Sequence, residues 1–201
     1  RTEHTDFTLR GLKSGRGYEI EAAAEDENGR LSQDTLHIAL QEKGEELTIT
    51  SFGAVGDGRT VNTSFIQKAI DACPAGGTVR IPAGTFVTGA LFLKSDMILE
   101  LQENAVLAGI YDRARTPILP GQIEYDNEDG YYNLGSWEGN PIDSFASMIT
   151  GIHVKNVTIC GKGVLDGRAD FENWWSRPKD KIRAWRPRMI FLNHCENITV
   201  V

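Results

Sequence analysis

The chain has 201 residues, 40% apolar and 24% charged, a balance that supports a packed core and excludes an intrinsically disordered segment. Acidic residues number 28 against 21 basic ones, and the resulting formal charge of −7 argues against a general nucleic-acid binder. No apolar run is long enough to cross a bilayer as a helix, and three cysteines are too few and too irregular for a disulfide framework or a zinc site.

Residues 1–43 read as β-structure. Phe7, Leu9 and Leu12 lead into a Gly-rich turn, Ser14-Gly15-Arg16-Gly17. Tyr18, Ile20, Ala22 and Ala24 then alternate with Glu19, Glu21 and Ala23, the period of a half-buried strand. Asp26-Glu27-Asn28-Gly29 supplies a hairpin turn, and Leu31–Leu40 returns as the partner strand. Gln41 to Glu46 is short, charged and Gly-containing, so positions 44–46 are assigned to a linker.

Beyond the linker the pattern changes. Asn62-Thr63-Ser64 starts a helix with Phe65, Ile66, Ala69, Ile70 and Cys73 on one face, and Ser64 with Gln67 has the spacing of a capping box. Pro74 and Gly76-Gly77 end it. Short strands then recur. Lys94-Ser95-Asp96-Met97-Ile98-Leu99, Val154-Lys155-Asn156-Val157-Thr158-Ile159 and Cys195-Glu196-Asn197-Ile198-Thr199-Val200 align on Asp96, Asn156 and Asn197, residues that tolerate a left-handed turn. A second phrase, Ala105-Val106-Leu107-Ala108-Gly109, recurs as Gly163-Val164-Leu165-Asp166-Gly167. Strand, turn and glycine repeating at roughly 20-residue intervals predict a parallel β-helix, with the helix closing its first coil. A solenoid needs a cap at both ends, so a chain stopping at Thr199-Val200-Val201 is expected to be a segment of a longer polypeptide.

Four stretches carry a resemblance. Phe52-Gly53-Ala54-Val55-Gly56-Asp57-Gly58 and Gly76–Phe86 (Gly-Gly-Thr-Val-Arg-Ile-Pro-Ala-Gly-Thr-Phe) occur widely in β-helix carbohydrate enzymes. Gly161–Gly167 (Gly-Lys-Gly-Val-Leu-Asp-Gly) followed by Trp174-Trp175, and Arg186-Pro187-Arg188-Met189-Ile190-Phe191, are more particular. Together with Trp137-Glu138-Gly139 they make Leu47–Val201 resemble the N-terminal part of glycoside hydrolase family 28, the polygalacturonases. Leu12-Lys13-Ser14-Gly15-Arg16-Gly17-Tyr18 likewise resembles the tyrosine corner of fibronectin type III domains. The fold implied is all-β: a right-handed parallel β-helix with a capping helix over 47–201, preceded by a partial β-sandwich over 1–43.

The family resemblance implies an inverting hydrolase of α-1,4-galacturonan that needs no metal or cofactor, and a fibronectin type III-like domain ahead of the β-helix, similar to some bacterial exo-acting members, points to exo rather than endo action. Its partner would be an acidic polysaccharide or its oligosaccharides, with neither nucleic acid nor membrane involved. The family's Asn-Thr-Asp, Asp-Asp, Gly-His-Gly and Arg-Ile-Lys motifs are absent between Leu47 and Val201, so no catalytic residue is assigned and the segment by itself is expected to be inactive. Two alternatives belong to other classes: a β-helix polysaccharide lyase, and a non-catalytic glycan-binding β-helix.

Residues 174–188 hold six cations and one acid among three tryptophans. Guanidinium pairs with carboxylate and indole stacks on a pyranose face, so Arg183, Arg186 and Arg188 are candidate substrate contacts, a solvated surface being the competing reading. Trp174 and Trp175 are expected to pack on the solenoid wall instead. Residues 111–147 form a long loop with Tyr125, Tyr131, Tyr132, Trp137 and Glu138; it is either a cleft wall, with Trp137 and Glu138 binding substrate, or a structural flap. Asp57, Asp166 and Asp170 are assigned to turns, and His153 and His194 to equivalent coil positions. The cysteines are assigned as small apolar residues.

Overall fold

The computed structural model describes residues 9, 11–13, 15–39, 44–124 and 130–201. Phe7, Ser14, Leu40 and Tyr125, singled out above, lie outside the described residues. The chain divides into two units, Arg1–Gly44 and Glu45–Val201.

In the first unit Gly17–Glu25 pairs antiparallel with Leu31–Ala39 across the expected turn. The Asp26 carboxylate accepts from the Asn28 and Arg30 amides at 2.9 and 2.8 Å, and Gly29 takes the positive φ (+76°) that only glycine adopts without strain. The Tyr18 hydroxyl returns to the backbone at Lys13, accepting from its amide and donating to its carbonyl.

The second unit is a parallel β-helix of three sheets. The first stacks Glu46–Thr48, Gly77–Ile81, Met97–Leu101, Lys155–Gly161 and Glu196–Val200, all parallel. The second stacks Asp57–Val61, Gly84–Thr88, Ala105–Gly109 and Val164–Asp166. Leu91–Phe92, Ile149–Ile152 and Ile190–Asn193 make the third. Register lines like residues up through the coils: Leu47, Val79, Leu99, Ile159 and Val200 form one inward row, and Leu91, Ile149 and Ile190 another. Each fully buried aliphatic in such a row contributes roughly 1.5–3 kcal/mol by leaving water.

The corners repeat as the sequence implies. Asp96, Asn156 and Asn197 all have left-handed φ, from +54° to +60°. Their side chains also bond to one another, Asn156 Nδ2 donating to Asp96 Oδ1 at 2.7 Å and Asn197 Nδ2 to Asn156 Oδ1 at 3.0 Å. At Gly161 the coils approach too closely for any side chain, since a Cβ there would lie 2.0 Å from the Leu101 carbonyl oxygen.

Three local expectations change. Glu46, placed in the linker, is already a strand residue paired in parallel with Thr78, and its carboxylate takes a bidentate ion pair from Arg80 (2.7 and 2.9 Å), which also reaches Glu100. The capping box does not form. The helix runs Thr63–Ala72 with Asn62 at its N-cap, which puts Gln67 too deep in the helix to reach back. Gln67 instead donates to the Phe92 carbonyl and accepts from the Phe92 amide (2.9 and 2.8 Å), satisfying the open edge of the third sheet as a neighbouring strand would. Finally, the 20-residue spacing holds only from Gly77 to Met97, because two excursions lengthen the later coils.

Ile66, Ala69 and Ile70 of the helix are fully buried over the first coil, and Lys94 Nζ donates to the Asp71 and Cys73 carbonyls at the helix's C-terminal end. Cys73 is buried among these residues, and burial pushes its thiol pKa up, away from reactivity. Asn62, fully buried, accepts from the Val55 amide and donates to the Val55 and Thr60 carbonyls (2.7, 3.0 and 2.7 Å), pinning the loop before the helix. Asn62→Ala removes three hydrogen bonds to partly exposed backbone groups and is expected to cost about 2 kcal/mol in urea unfolding. Asp57 accepts from the Thr60 and Arg59 amides and the Thr60 hydroxyl, which hold its carboxyl pKa at about 2 instead of 3.8. A depressed folded-state pKa stabilises above the unfolded value and loses that contribution as pH falls through the folded one. The stability gap between wild type and Asp57→Asn is therefore expected to be constant above about pH 5 and to close between pH 4 and 2, measured by urea unfolding across that range.

Candidate functional site

The described residues of the first excursion, 110–124 and 130–148, are folded rather than irregular. Ile118–Leu119 pairs with Ser144–Phe145, Gln122–Glu124 with Tyr131–Asn133, and Ser136–Trp137 with Asn140–Pro141, all antiparallel. The second, residues 167–189, is held by Asx turns. Asp166 accepts from the Arg168 amide, and Asp170 from the Glu172 and Asn173 amides. Both carboxylates thus serve turns, as the sequence implies.

The two excursions share a small core of their own. Phe145, Trp174 and Ala184 are buried together, the two rings meeting edge-on at 5.3 Å. Phe145 N–H donates to the Trp185 carbonyl and Trp185 N–H to the Asp143 carbonyl, at 2.8 and 2.9 Å. Arg113 ties the roots. Its guanidinium lies 4.7 Å from the Trp174 ring centroid and donates to the Asn173 and Trp174 carbonyls, while its own carbonyl accepts from Arg183 Nη1 at 2.8 Å. Burial, and then the nearby Arg186 and Arg177 cations, lower the Arg113 pKa from its usual value.

Beside this junction a cleft of about 180 Å3 opens where the second sheet turns into the third. Gly109 and Gly167 contribute to its floor, Thr88 lies at one end, and Trp175, Arg186 and Arg188 border it. Trp174 packs as expected, donating Nε1–H to the Ile110 carbonyl at 3.3 Å. Trp175 does not. It is 44% exposed, with the Arg186 guanidinium 4.2 Å from its ring centroid. This pair combines a flat apolar face with a fixed cation, the chemistry that receives an anionic ring.

The residues put forward from sequence separate in space. Arg186 and Arg188 line the cleft, whereas Arg183 is turned to the Arg113 carbonyl. Trp137 and Glu138 are not among the lining residues: Trp137 pairs with Asn140 across a two-residue hairpin tip, Glu138-Gly139, whose φ values of +49° and +81° are the geometry that tight hairpins require. Trp137 is 67% exposed there. Tyr132 is buried, its ring 4.1 Å from His194 and 5.0 Å from His153, so the histidines at equivalent coil corners (φ +54° and +51°) carry the excursion. Sequence reasoning missed Arg113 altogether and grouped Trp175 with Trp174. The two tryptophans lie in a run of turns, Trp175 N–H donating to the Asp170 carbonyl at 2.9 Å, so no strand or helix period in the sequence separates the buried ring from the exposed one.

No protein-family model matches the chain. It is 40% identical over 172 residues to an exo-poly-alpha-D-galacturonosidase of Dickeya chrysanthemi, a match covering 85% of this chain and 27% of that protein. An endo-polygalacturonase of Pectobacterium parmentieri is 28% identical over 151 residues, covering 69% of this chain and 35% of its own length. Among solved structures, a family 28 exopolygalacturonase of Yersinia enterocolitica superposes with a TM-score of 0.78 at 28% identity, over 96% of this chain and 41% of that one. The chain thus spans between 27% and 41% of the length of these relatives.

If Arg113 is the clasp between the excursions, Arg113→Ala loosens both without disturbing the solenoid. Losing its two carbonyl bonds and ring contact is expected to speed amide exchange by roughly thirtyfold at 113–116 and 173–185. Exchange in Met97–Leu101 and Lys155–Gly161 should not change. Hydrogen–deuterium exchange with peptide-level readout checks both halves.

Proposed function

Starting from a chain that is polygalacturonase-like, of glycoside hydrolase family 28, we propose that it supplies the first coils of a hydrolase of α-1,4-galacturonan that cuts from a chain end. The observation that carries this reading is the 40% identity across 85% of the chain to a protein named as an exo-poly-alpha-D-galacturonosidase. A cleft bordered by Trp175, Arg186 and Arg188 in a protein of net charge −7 supports an acidic sugar as the ligand. We read residues 1–43 as the C-terminal part of a fibronectin type III-like sandwich, supported by the return of the Tyr18 hydroxyl to Lys13.

Inverting hydrolysis needs one carboxylic acid to protonate the leaving oxygen and a second carboxylate to activate a water on the opposite face, with the two ~6.5–9.5 Å apart. The family's Asn-Thr-Asp and Asp-Asp motifs are absent between Leu47 and Val201, so we assign the reacting pair to no residue of this chain. Its own residues do the binding: Trp175 and Arg186 give the sugar a face to lie on, and Arg188 presents a cation to its carboxylate. The 111–147 excursion, clasped to the cleft wall through Arg113, closes one side and favours a chain end over a chain interior.

Polygalacturonate incubated with the 201-residue chain is expected to stay intact. With the longer polypeptide containing it, hydrated galacturonic acid or one short hydrated oligomer should dominate the early products by mass spectrometry. Early hydrated oligomers of mixed length would contradict end-on cutting, and products lighter by one water would contradict hydrolysis.

A further inference from the structure

We propose that the cleft is a subsite for a single unesterified uronate unit and that Arg188 is the residue selecting its free carboxylate. The proposal rests on the galacturonan reading above and assigns a specificity role within it.

Arg188 is distinguished by what the other arginines do. Arg113 donates to the Asn173 and Trp174 carbonyls, Arg183 to the Arg113 carbonyl, and Arg186 to the Pro178 carbonyl at 2.9 Å while lying on Trp175. These three guanidinium groups brace the wall. The Arg188 guanidinium makes no hydrogen bond or ion pair among the described residues, yet its backbone is fixed, its amide donating to Ser147 Oγ at 3.1 Å. It borders two cavities at once, the cleft and a smaller one under the 119–145 ladder formed by Leu134, Phe145 and Phe191. A cation anchored at its root, unpaired at its tip and flanked by apolar surface is placed to take a carboxylate through two parallel N–H bonds.

The rest of the cleft suits a sugar ring. Its floor carries no side chain at Gly109 and Gly167, and the Trp175–Arg186 pair closes one side. At about 180 Å3 it is below the ~300–1,000 Å3 common for larger ligands, which limits it to one unit at a time. A methyl ester at that unit would leave Arg188 facing a neutral group, so the free acid is preferred. Gly167 offers a separate handle on the same space. A Cβ there meets only Met189 Cε, at an ordinary 3.5 Å, and Gly167 needs no left-handed φ, so alanine is tolerated by the fold while raising the floor.

The test is calorimetric titration of the 201-residue chain with trigalacturonate and with its methyl ester, with thermal unfolding to verify each variant. Wild type is expected to bind the free acid about tenfold or more tightly than the ester, the worth of a charge-assisted pair. Arg188→Gln should reduce the acid to the ester's affinity and leave the ester unchanged, and Gly167→Ala should weaken both alike. A tenfold preference that survives in Arg188→Gln overturns the assignment, as does unchanged affinity in Gly167→Ala or binding of neither ligand by wild type. Failure of the galacturonan reading shows elsewhere, in the absence of uronate products from the longer polypeptide.

Discussion

Parallel coils stack only if every coil turns at the same place, and that constraint governs this molecule. A parallel ladder shares its hydrogen bonds with the coil before and the coil after, so one misplaced corner would shift every inward side chain to the wrong face. The Asp96–Asn156–Asn197 column enforces the corner twice over. Its residues accept left-handed φ, and their side chains bond from coil to coil. The inward rows of Leu, Ile and Val follow from that register, and the closing of the first coil by Thr63–Ala72 follows from the need to satisfy its open edges.

With the corners fixed, length can vary between them. The two long insertions leave from the same flank of the solenoid, and their proximity lets them build a second, smaller core around Phe145 and Trp174. Arg113 is the polar counterpart of that core. It spends its donors on backbone carbonyls and its face on an indole, and in doing so it sets where the cleft wall stands. Binding chemistry then needs little more than residues already in place: a glycine floor left open by the coil turns, an exposed indole, and an arginine with its root fixed.

The solenoid was legible in the sequence because its signals are local and repeated. Asn-x-apolar phrases, the Leu-Asp-Gly turn and the helix before Pro74 each carry their own geometry, and repetition turns weak signals into a register. The capping box misled because Ser64–Gln67 has the right spacing but begins two residues after the N-cap. The residue at the helix start is Asn62, whose buried side chain faces backwards to the backbone of the preceding loop. The cleft was legible only in part. Composition identified 174–188 as cationic and aromatic, but which arginines face a ligand depends on contacts some 60 to 70 residues away in sequence, such as Arg113 with Trp174 and Arg183. Trp137 and Glu138 were put forward on a motif, and the fold sets them at a hairpin, Trp137 in its strand and Glu138 in its turn, apart from the residues that line the cleft.

That the two excursions and the solenoid turn between them form one binding wall for an acidic sugar is tested most directly by amide exchange with and without oligogalacturonate. Protection confined to residues 110–116 and 167–189, with the Gly17–Glu25 hairpin strand and the outer face of the first sheet unchanged, is the predicted result. Protection centred on the Trp137 hairpin tip or on the first sheet, or no protection at saturating ligand, would contradict it.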